Sequence, residues 1–126
     1  MTTFAIFCGS RFWKDHEPIR LKLSGLPKDA TIIHGCAPGA DSIAGYEADL
    51  MGLDVIEVPA PWDELENDAG PIRNGWMLQM LLVARRLGQD VIVFAFHEDR
   101  SLGRGTKDMV NQAKSASIPV DIWTLP

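Results

Sequence analysis

Five short apolar segments recur along the chain, and they predict the strands of a sheet. Their ranges are Phe4–Cys8, Thr31–His34, Val55–Val58, Val91–Phe96 and Val120–Trp123. Each is rich in β-branched or aromatic residues and nearly continuous in hydrophobicity. Strands that are buried on both faces of a parallel sheet have this character.

Four segments between these strands have the spacing of amphipathic helices. They are Asp15–Leu23, Ala40–Met51, Ile72–Leu87 and Thr106–Ser117. The clearest is Ile72–Leu87, whose apolar side chains recur every three or four residues at Ile72, Trp76, Met80, Val83 and Leu87. Regular alternation of strand and helix predicts an α/β fold, a single Rossmann-like domain over residues 1–126. Its five-stranded parallel sheet would carry helices on both faces.

Composition and charge narrow the class of ligand. The 126 residues are 46% hydrophobic and 23% charged, which is typical of a globular domain. The formal net charge of -5 disfavours nucleic acid polymers and acidic membranes. No apolar run is long enough to span a bilayer, and the first residues do not resemble a signal peptide. Two cysteines are consistent with reduced thiols, so we expect a cytoplasmic protein.

Four loops that follow strands or open helices carry the residues suited to binding an anion. They are Gly9-Ser10-Arg11, the segment from His34 to Asp41 with Gly35 and Gly39, the segment Gly70-Pro71-Ile72-Arg73-Asn74, and the segment Ser101-Leu102-Gly103-Arg104-Gly105-Thr106. Glycine lets the backbone approach a ligand, and arginine matches the geometry of a phosphate group. The carboxyl ends of parallel strands meet at one edge, so these loops are predicted to form one small-anion pocket.

Most of these residues also have an ordinary structural explanation. Asp41 either accepts from ribose hydroxyls or complements a helix dipole. Thr106 is either a ligand-binding residue or a helix N-cap. Arg73 lies unfavourably near a helix N-terminus, which indicates either an anionic ligand or an ion pair with a nearby acid (Asp63, Glu64, Glu66 or Asp68).

Aromatic residues and a basic cluster complete the predicted pocket. The cationic side chains are Arg11, Arg73, Arg100, Arg104 and Lys107. Trp13 and Trp62 are either platforms for a base or plain core residues. The segment from Pro59 to Gly70 interrupts the strand–helix rhythm, and it either lines the crevice or only connects its neighbours.

The motifs together resemble a known superfamily. The sequence contains GSR followed by a nearby tryptophan, then HGCAPGAD, PAPW, AGPIRNGWM and GRGTKDM. This combination is similar to the YspA-like (YpsA-related) branch of the SLOG superfamily, and the similarity runs from the first strand to the last. The resemblance implies a Rossmann-like domain that binds or processes a nucleotide or a nucleotide-derived molecule.

A more distant resemblance concerns an enzyme family, the Lonely Guy phosphoribohydrolases, whose motifs are RKxxM and PGGxGTxxE. The segment from Arg73 to Met77 resembles the first motif, with Asn74 in place of lysine. The segment from Gly103 to Met109 resembles the second, with Met109 in place of the catalytic glutamate. The phosphate-holding half of such a site is therefore present, and its catalytic half is altered.

The leading hypothesis is a sensor, carrier or sequestering domain for a nucleotide-type molecule. Its predicted ligand-binding residues are Gly9, Ser10, Arg11, Gly35, Gly39, Asp41, Trp62, Arg73, Asn74, Ser101, Gly103, Arg104, Gly105 and Thr106. The alternative is an enzyme acting at an N-glycosidic bond, with Arg73 and a carboxylate from Asp41, Asp108 or Glu47.

Three further expectations follow from the sequence. No resident metal or cofactor is predicted. A metal or redox site would need Cys8, Cys36 and His34, which do not make up a usual ligand set. The Ile72–Leu87 helix, with Trp76 and Met80 among residues spread around it, is too apolar for burial on one side. We therefore expect a homodimer or a larger homo-oligomer.

Overall fold

The sheet has five parallel strands, as the sequence predicts. A computed structural model describes residues 2–125, apart from the side chain of Asn67. The strands are β1 (Thr3–Gly9), β2 (Thr31–His34), β3 (Asp54–Glu57), β4 (Asp90–His97) and β5 (Val120–Thr124). Their order across the sheet is β3-β2-β1-β4-β5, and every neighbouring pair is parallel. The predicted α/β, Rossmann-like fold class is confirmed.

The strand order reverses between β1 and β4. After β1, the chain builds β2 and β3 on one side and then crosses to β4 and β5 on the other. β1 and β4 are paired from Thr3 opposite Asp90 to Gly9 opposite Phe96. Ligands of open α/β sheets bind outside the carboxyl ends of the strands at such a reversal. A ligand site of this fold is therefore expected beyond Gly9 and Phe96.

Helices cover both faces of the sheet. They are α1 (His16–Ser24), α2 (Ala40–Leu50), α3 (Trp62–Leu65), α4 (Ala69–Arg86) and α5 (Gly103–Ser115). A 3-10 turn, Glu66–Asp68, joins α3 to α4. The segment from Pro59 to Gly70, which interrupts the alternation of strands and helices, is therefore partly helical. No helix of the described residues has both the length and the apolar character needed to cross a bilayer.

Successive side chains of β1 enter opposite halves of the core. Ala5 and Phe7 pack with α1 and α2, whereas Ile6 and Cys8 pack with α4 and α5. Phe7 also lies against Phe94 of the neighbouring strand, with ring centroids 4.8 Å apart. Burial on both faces explains why β1 is nearly continuous in hydrophobicity. The edge strands β3 and β5 differ from the prediction, because none of their residues is buried.

The apolar stripe by which α4 was predicted lies on its exposed side. Ile72, Trp76, Met80, Val83 and Leu87 are all exposed. The buried face instead carries Ala69, Met77, Leu78, Leu81 and Ala84, together with Asn74. The periodicity predicted the helix correctly, but it did not predict which face packs against the sheet. The reason is that α4 has apolar residues around most of its circumference.

α4 and α5 both begin three residues earlier than predicted. α4 starts at Ala69, so Gly70 and Pro71 belong to its first turn. Proline is tolerated there because the first amides of a helix have no intrahelical acceptor. α5 starts at Gly103, which places Arg104, Gly105 and Thr106 in its first turn as well.

Gly9 gives the first testable prediction. A Cβ atom at this position would lie 2.1 Å from the carbonyl oxygen of Phe96 and 2.8 Å from the Cβ of Ala40. We expect Gly9→Ala to lower the free energy of unfolding by about 1–3 kcal/mol, as overpacking does. Gly25→Ala is the control, because its Cβ would meet only an ordinary contact at 3.6 Å. Equal stabilities in urea denaturation would contradict the prediction.

Candidate functional site

The four predicted loops contact one another in sequence at the carboxyl edge of the sheet. The backbone amide of Ala40 donates to the carbonyl of Ser10 at 3.0 Å, which joins the first loop to the second. A guanidinium nitrogen of Arg73 donates to the carbonyl of Gly35, which joins the second to the third. The amide side chain of Asn74 then donates to the carbonyl of Gly105 at 3.3 Å, which joins the third to the fourth.

Ser10 holds the first loop in place. Its amide donates to the carbonyl of Phe96 at 2.8 Å, and its own carbonyl accepts from the amides of Trp13 and Ala40. Its hydroxyl oxygen accepts from the amide of Phe12 at 3.0 Å. Gly39, with φ of 79°, lies directly against the backbone of Ser10 and Arg11. The first loop is therefore fixed by backbone contacts, and the hydroxyl proton of Ser10 remains able to donate.

Asp41 is a buried carboxylate that binds the backbone of its own loop. It is only 4% exposed, and it accepts from the amide of Gly35 at 2.8 Å. Burial raises the pKa of Asp41 from the usual 3.8 to about 6, whereas Arg73 and the amides of Gly35, Ala37 and Asp41 itself oppose that rise. The carboxylate thus occupies the amides that a glycine-rich loop would otherwise offer to an anion.

Arg73 starts a chain of polar side chains that ties α4 to α5. Its Nε donates to Asn74 at 3.1 Å, and the buried Asn74 donates to Asp108 at 2.9 Å. Asp108 also accepts from Gln112 at 2.8 Å, one helical turn further on. Among the described ion pairs, none joins Arg73 to an acid of the Asp63–Asp68 segment. The guanidinium instead faces the loop of Gly35 and Asp41.

The first turn of α5 is built like an anion-binding helix terminus. Leu102 and Gly103 both adopt left-handed backbone, with φ of 66° and 65°. No side chain caps the helix at Leu102, and its first turn carries no acid. A Cβ at Gly105 would meet nothing within 4 Å, so the backbone there is open. Uncapped amides and the helix dipole both favour an anion at such a terminus.

Thr106 is buried in the first turn of α5 and is not its N-cap, whereas the side chains of four other predicted ligand-binding residues are exposed. Arg11, Arg104 and Ser101 are exposed, and Ser101 donates through both its hydroxyl and its amide to Asp99. Trp62 is also exposed, and its ring edge would lie 3.6 Å from a Cβ at Gly70. The side chains of Arg11, Arg104 and Trp62 are therefore accessible from solvent, whereas Ser101 is held by Asp99.

Three residues considered for the site have structural surroundings instead. Trp13 is buried against Phe96, and its indole nitrogen donates to the carbonyl of Asp15. Met109 is fully buried in the core beneath α5. Glu47 accepts from Arg20 of α1 at 3.2 Å, and this hydrogen bond lowers its pKa.

The two cysteines have different surroundings. Both are free, Cys8 being buried and Cys36 exposed. Burial is the main cause that raises the pKa of each thiol, so neither is an activated thiolate. In residues 2–125, no group of three or more histidine, cysteine and acidic side chains is placed to hold a metal ion.

A cleft of about 520 Å³ lies beside the second loop, on the α2 side of the sheet. It is lined by His34, Cys36, Ser42, Gly45, Tyr46, Asp49, Val55 and Glu57. The imidazole of His34 accepts from the amide of Cys36 through Nδ1, while Nε2 faces Glu57 at 3.8 Å. Burial lowers the pKa of His34. The cleft is acidic and therefore less suited to an anion than the α5 terminus.

Sequence reasoning missed two residues that shape this edge. His97 ends β4, and a Cβ at Gly103 would lie 2.9 Å from its Nε2. Gln112 donates to both Asp108 and the carbonyl of Pro71. Two features of the sequence could have indicated these residues. One is a histidine at the end of an apolar strand, and the other is a glutamine four residues after an aspartate.

Comparison with known proteins supports the fold. No family model matches the chain, and no curated protein matches it either. A solved structure of DNA processing protein A (DprA) from Streptococcus pneumoniae superposes with a TM-score of 0.52 at 16% identity. The alignment covers 95% of this chain and 58% of the DprA chain, so this chain spans little more than half of that protein. At this identity the similarity shows a shared Rossmann-like fold.

The raised pKa of Asp41 predicts a pH dependence of stability. The pKa of Asp41 is higher in the folded chain than in the unfolded one, so protonation of Asp41 stabilises the fold. This contribution to the free energy of unfolding is full below pH 3.8 and is lost as pH rises through about 6. Relative to Asp41→Asn, the wild type should gain about 1 kcal/mol of unfolding free energy between pH 7 and pH 5. Urea denaturation of both proteins tests this. A pH-independent difference would show that burial does not raise this pKa.

Proposed function

We propose that the chain binds a nucleotide or a nucleotide-derived small molecule at the carboxyl edge of its sheet. The phosphate lies at the first turn of α5, where Gly103, Arg104, Gly105 and Thr106 surround it. Arg73 and the Ser10–Arg11 turn approach it from α4 and β1. Asp41 keeps the second loop in position, and the exposed Trp62 is available to stack on a base.

One observation carries this proposal: a cationic side chain is tied to an uncapped helix terminus. Arg73 donates to Asn74, and Asn74 donates to the carbonyl of Gly105 in the first turn of α5. A guanidinium and the positive end of a helix dipole are thereby held close together without an acid in that turn. Such a pair stabilises an anion, which favours a phosphate group as the occupant, although Asp41 also lies near the guanidinium.

The surroundings of the carboxylates favour binding over cleavage. Met109, which stands where the phosphoribohydrolase motif has its catalytic glutamate, is buried in the core. Asp108 accepts from Asn74 and Gln112, so its carboxylate is engaged in joining α4 to α5. Asp41 is engaged by backbone amides. A sensor, carrier or sequestering role therefore fits these residues better than hydrolysis of an N-glycosidic bond.

The similarity to DprA raises DNA as a rival ligand, because that protein is named for DNA processing. A net charge of -5 opposes binding of a polyanion, whereas a single phosphate needs only a local cationic group. A single-stranded oligonucleotide therefore belongs in the titrations as a comparison ligand, and we expect weaker binding than for a mononucleotide.

Purified protein should carry its ligand. We expect denaturation followed by mass spectrometry of the released small molecules to yield an intact phosphate-bearing nucleotide or a related species. A free base with a sugar phosphate would instead support cleavage. Protein that is empty, and that shows no thermal shift with AMP, ADP-ribose or inorganic phosphate, would overturn the proposal.

Substitutions at the two halves of the phosphate site should weaken binding. Loss of one hydrogen bond to a charged group costs about 1.5–3 kcal/mol, so Arg73→Ala and Thr106→Val should each raise the dissociation constant for the identified nucleotide about tenfold or more. Isothermal titration measures the constant, and circular dichroism confirms that each variant is folded.

Lys114→Ala is the matched control, because it removes a cation from the last turn of the same helix as Thr106. Its affinity should equal that of the wild type. Unchanged affinity in both Arg73→Ala and Thr106→Val would place the ligand elsewhere and refute the assigned site.

A further inference from the structure

The exposed side of α4 carries an apolar stripe that nothing in the described chain covers. Its members are Ile72, Trp76, Met80, Val83 and Leu87, with exposed fractions of 37%, 45%, 36%, 54% and 73%. From these fractions, the stripe leaves roughly 500 Å² of surface, near the upper range for the largest apolar patch of a soluble monomer. A continuous apolar patch of this size is often functional, whereas single exposed apolar residues are normal.

We propose that this stripe binds the same stripe of a second copy, with the two α4 helices antiparallel about a two-fold axis. Two such surfaces together reach about 1,000 Å², which is the lower limit for a specific interface. The pairing involves α4 alone and does not depend on the nucleotide site.

The spacing of the stripe is self-complementary. Reversal about a point between Gln79 and Met80 exchanges Ile72 with Leu87, and it exchanges Trp76 with Val83. A two-fold axis at that point therefore sets apolar residues opposite each other toward both ends of the stripe, while Met80 lies next to the axis, level with Gln79 of the second copy. The largest side chain, Trp76, meets the small Val83 of the second copy, as interdigitating helices require.

Charge at the two ends of α4 favours the antiparallel orientation. The exposed acids Asp63, Glu64, Glu66 and Asp68 precede α4, whereas Arg85 and Arg86 end it. Arg85 donates to the carbonyls of Ala116 and Ser117 in its own chain, which leaves Arg86 as the cation at the surface. An antiparallel pair brings Arg86 toward Asp68 of the second copy, whereas a parallel pair would set like charges together. The helix dipoles favour the same arrangement.

The first test is the oligomeric state. Sedimentation analysis of the full chain should give two copies. Val83→Glu should raise the dimer dissociation constant at least about 100-fold, because the interface would bury an unpaired carboxylate. Leu50→Glu is the matched control, since Leu50 is a similarly exposed apolar residue on α2, across the sheet. It should remain dimeric. A monomeric wild type, or a dimer that persists in Val83→Glu, would overturn the proposal.

A charge exchange tests the orientation separately. Arg86→Glu should weaken the dimer several-fold, and Asp68→Arg added to Arg86→Glu should restore most of the loss. Failure of the double variant to recover would exclude the antiparallel arrangement. Both positions are exposed, so circular dichroism should show that all variants fold as the wild type does.

Discussion

The peptide unit of Gly35 lies between opposite charges, and the carboxyl edge of the sheet is organised around it. Asp41 accepts from its amide, and Arg73 donates to its carbonyl. A Cβ at Gly35 would lie 2.1 Å from the Arg73 guanidinium, so only glycine permits this approach. Because Asp41 lies in the first turn of α2 and Arg73 lies near the start of α4, one glycine joins the helical layers on the two faces of the sheet.

Two further close approaches complete the same edge. Gly39 lies against the backbone of Ser10, and Gly103 lies against the imidazole of His97. In each case the left-handed backbone of the glycine turns the chain tightly into a helix. The loops are thereby held by backbone packing, which leaves the side chains of Arg11, Arg104 and Trp62 exposed. This edge therefore combines a closely packed backbone with exposed cationic and aromatic side chains.

The fold could be predicted from the sequence because the strands are apolar runs and each of the first four is followed by a helical segment. A strand that is buried on both faces can be recognised in the sequence by an unbroken apolar run, as at Phe4–Cys8. The sequence did not show which side of α4 faces the sheet, because Trp76 and Met77 are both apolar. Only the packing of the folded chain buries Met77 and leaves Trp76 exposed. The partners of Arg73 were also missed: a spacing rule favours nearby acids, whereas the fold supplies Gly35 from 38 residues away.

Three groups of residues on α4 have different surroundings, according to their position around and along the helix. Met77 and Leu81 fill the core, Arg73 and Asn74 reach the carboxyl edge, and the Ile72–Leu87 stripe faces outward. An ordinary surface helix carries polar residues where this stripe lies. Apolar surface contributes favourable free energy only when it is removed from water. The exposed stripe therefore does not stabilise the monomer. The sequence of α4 thus separates a core face, a polar start at the carboxyl edge and an outward apolar face, and the assembly that we propose concerns only the last of these.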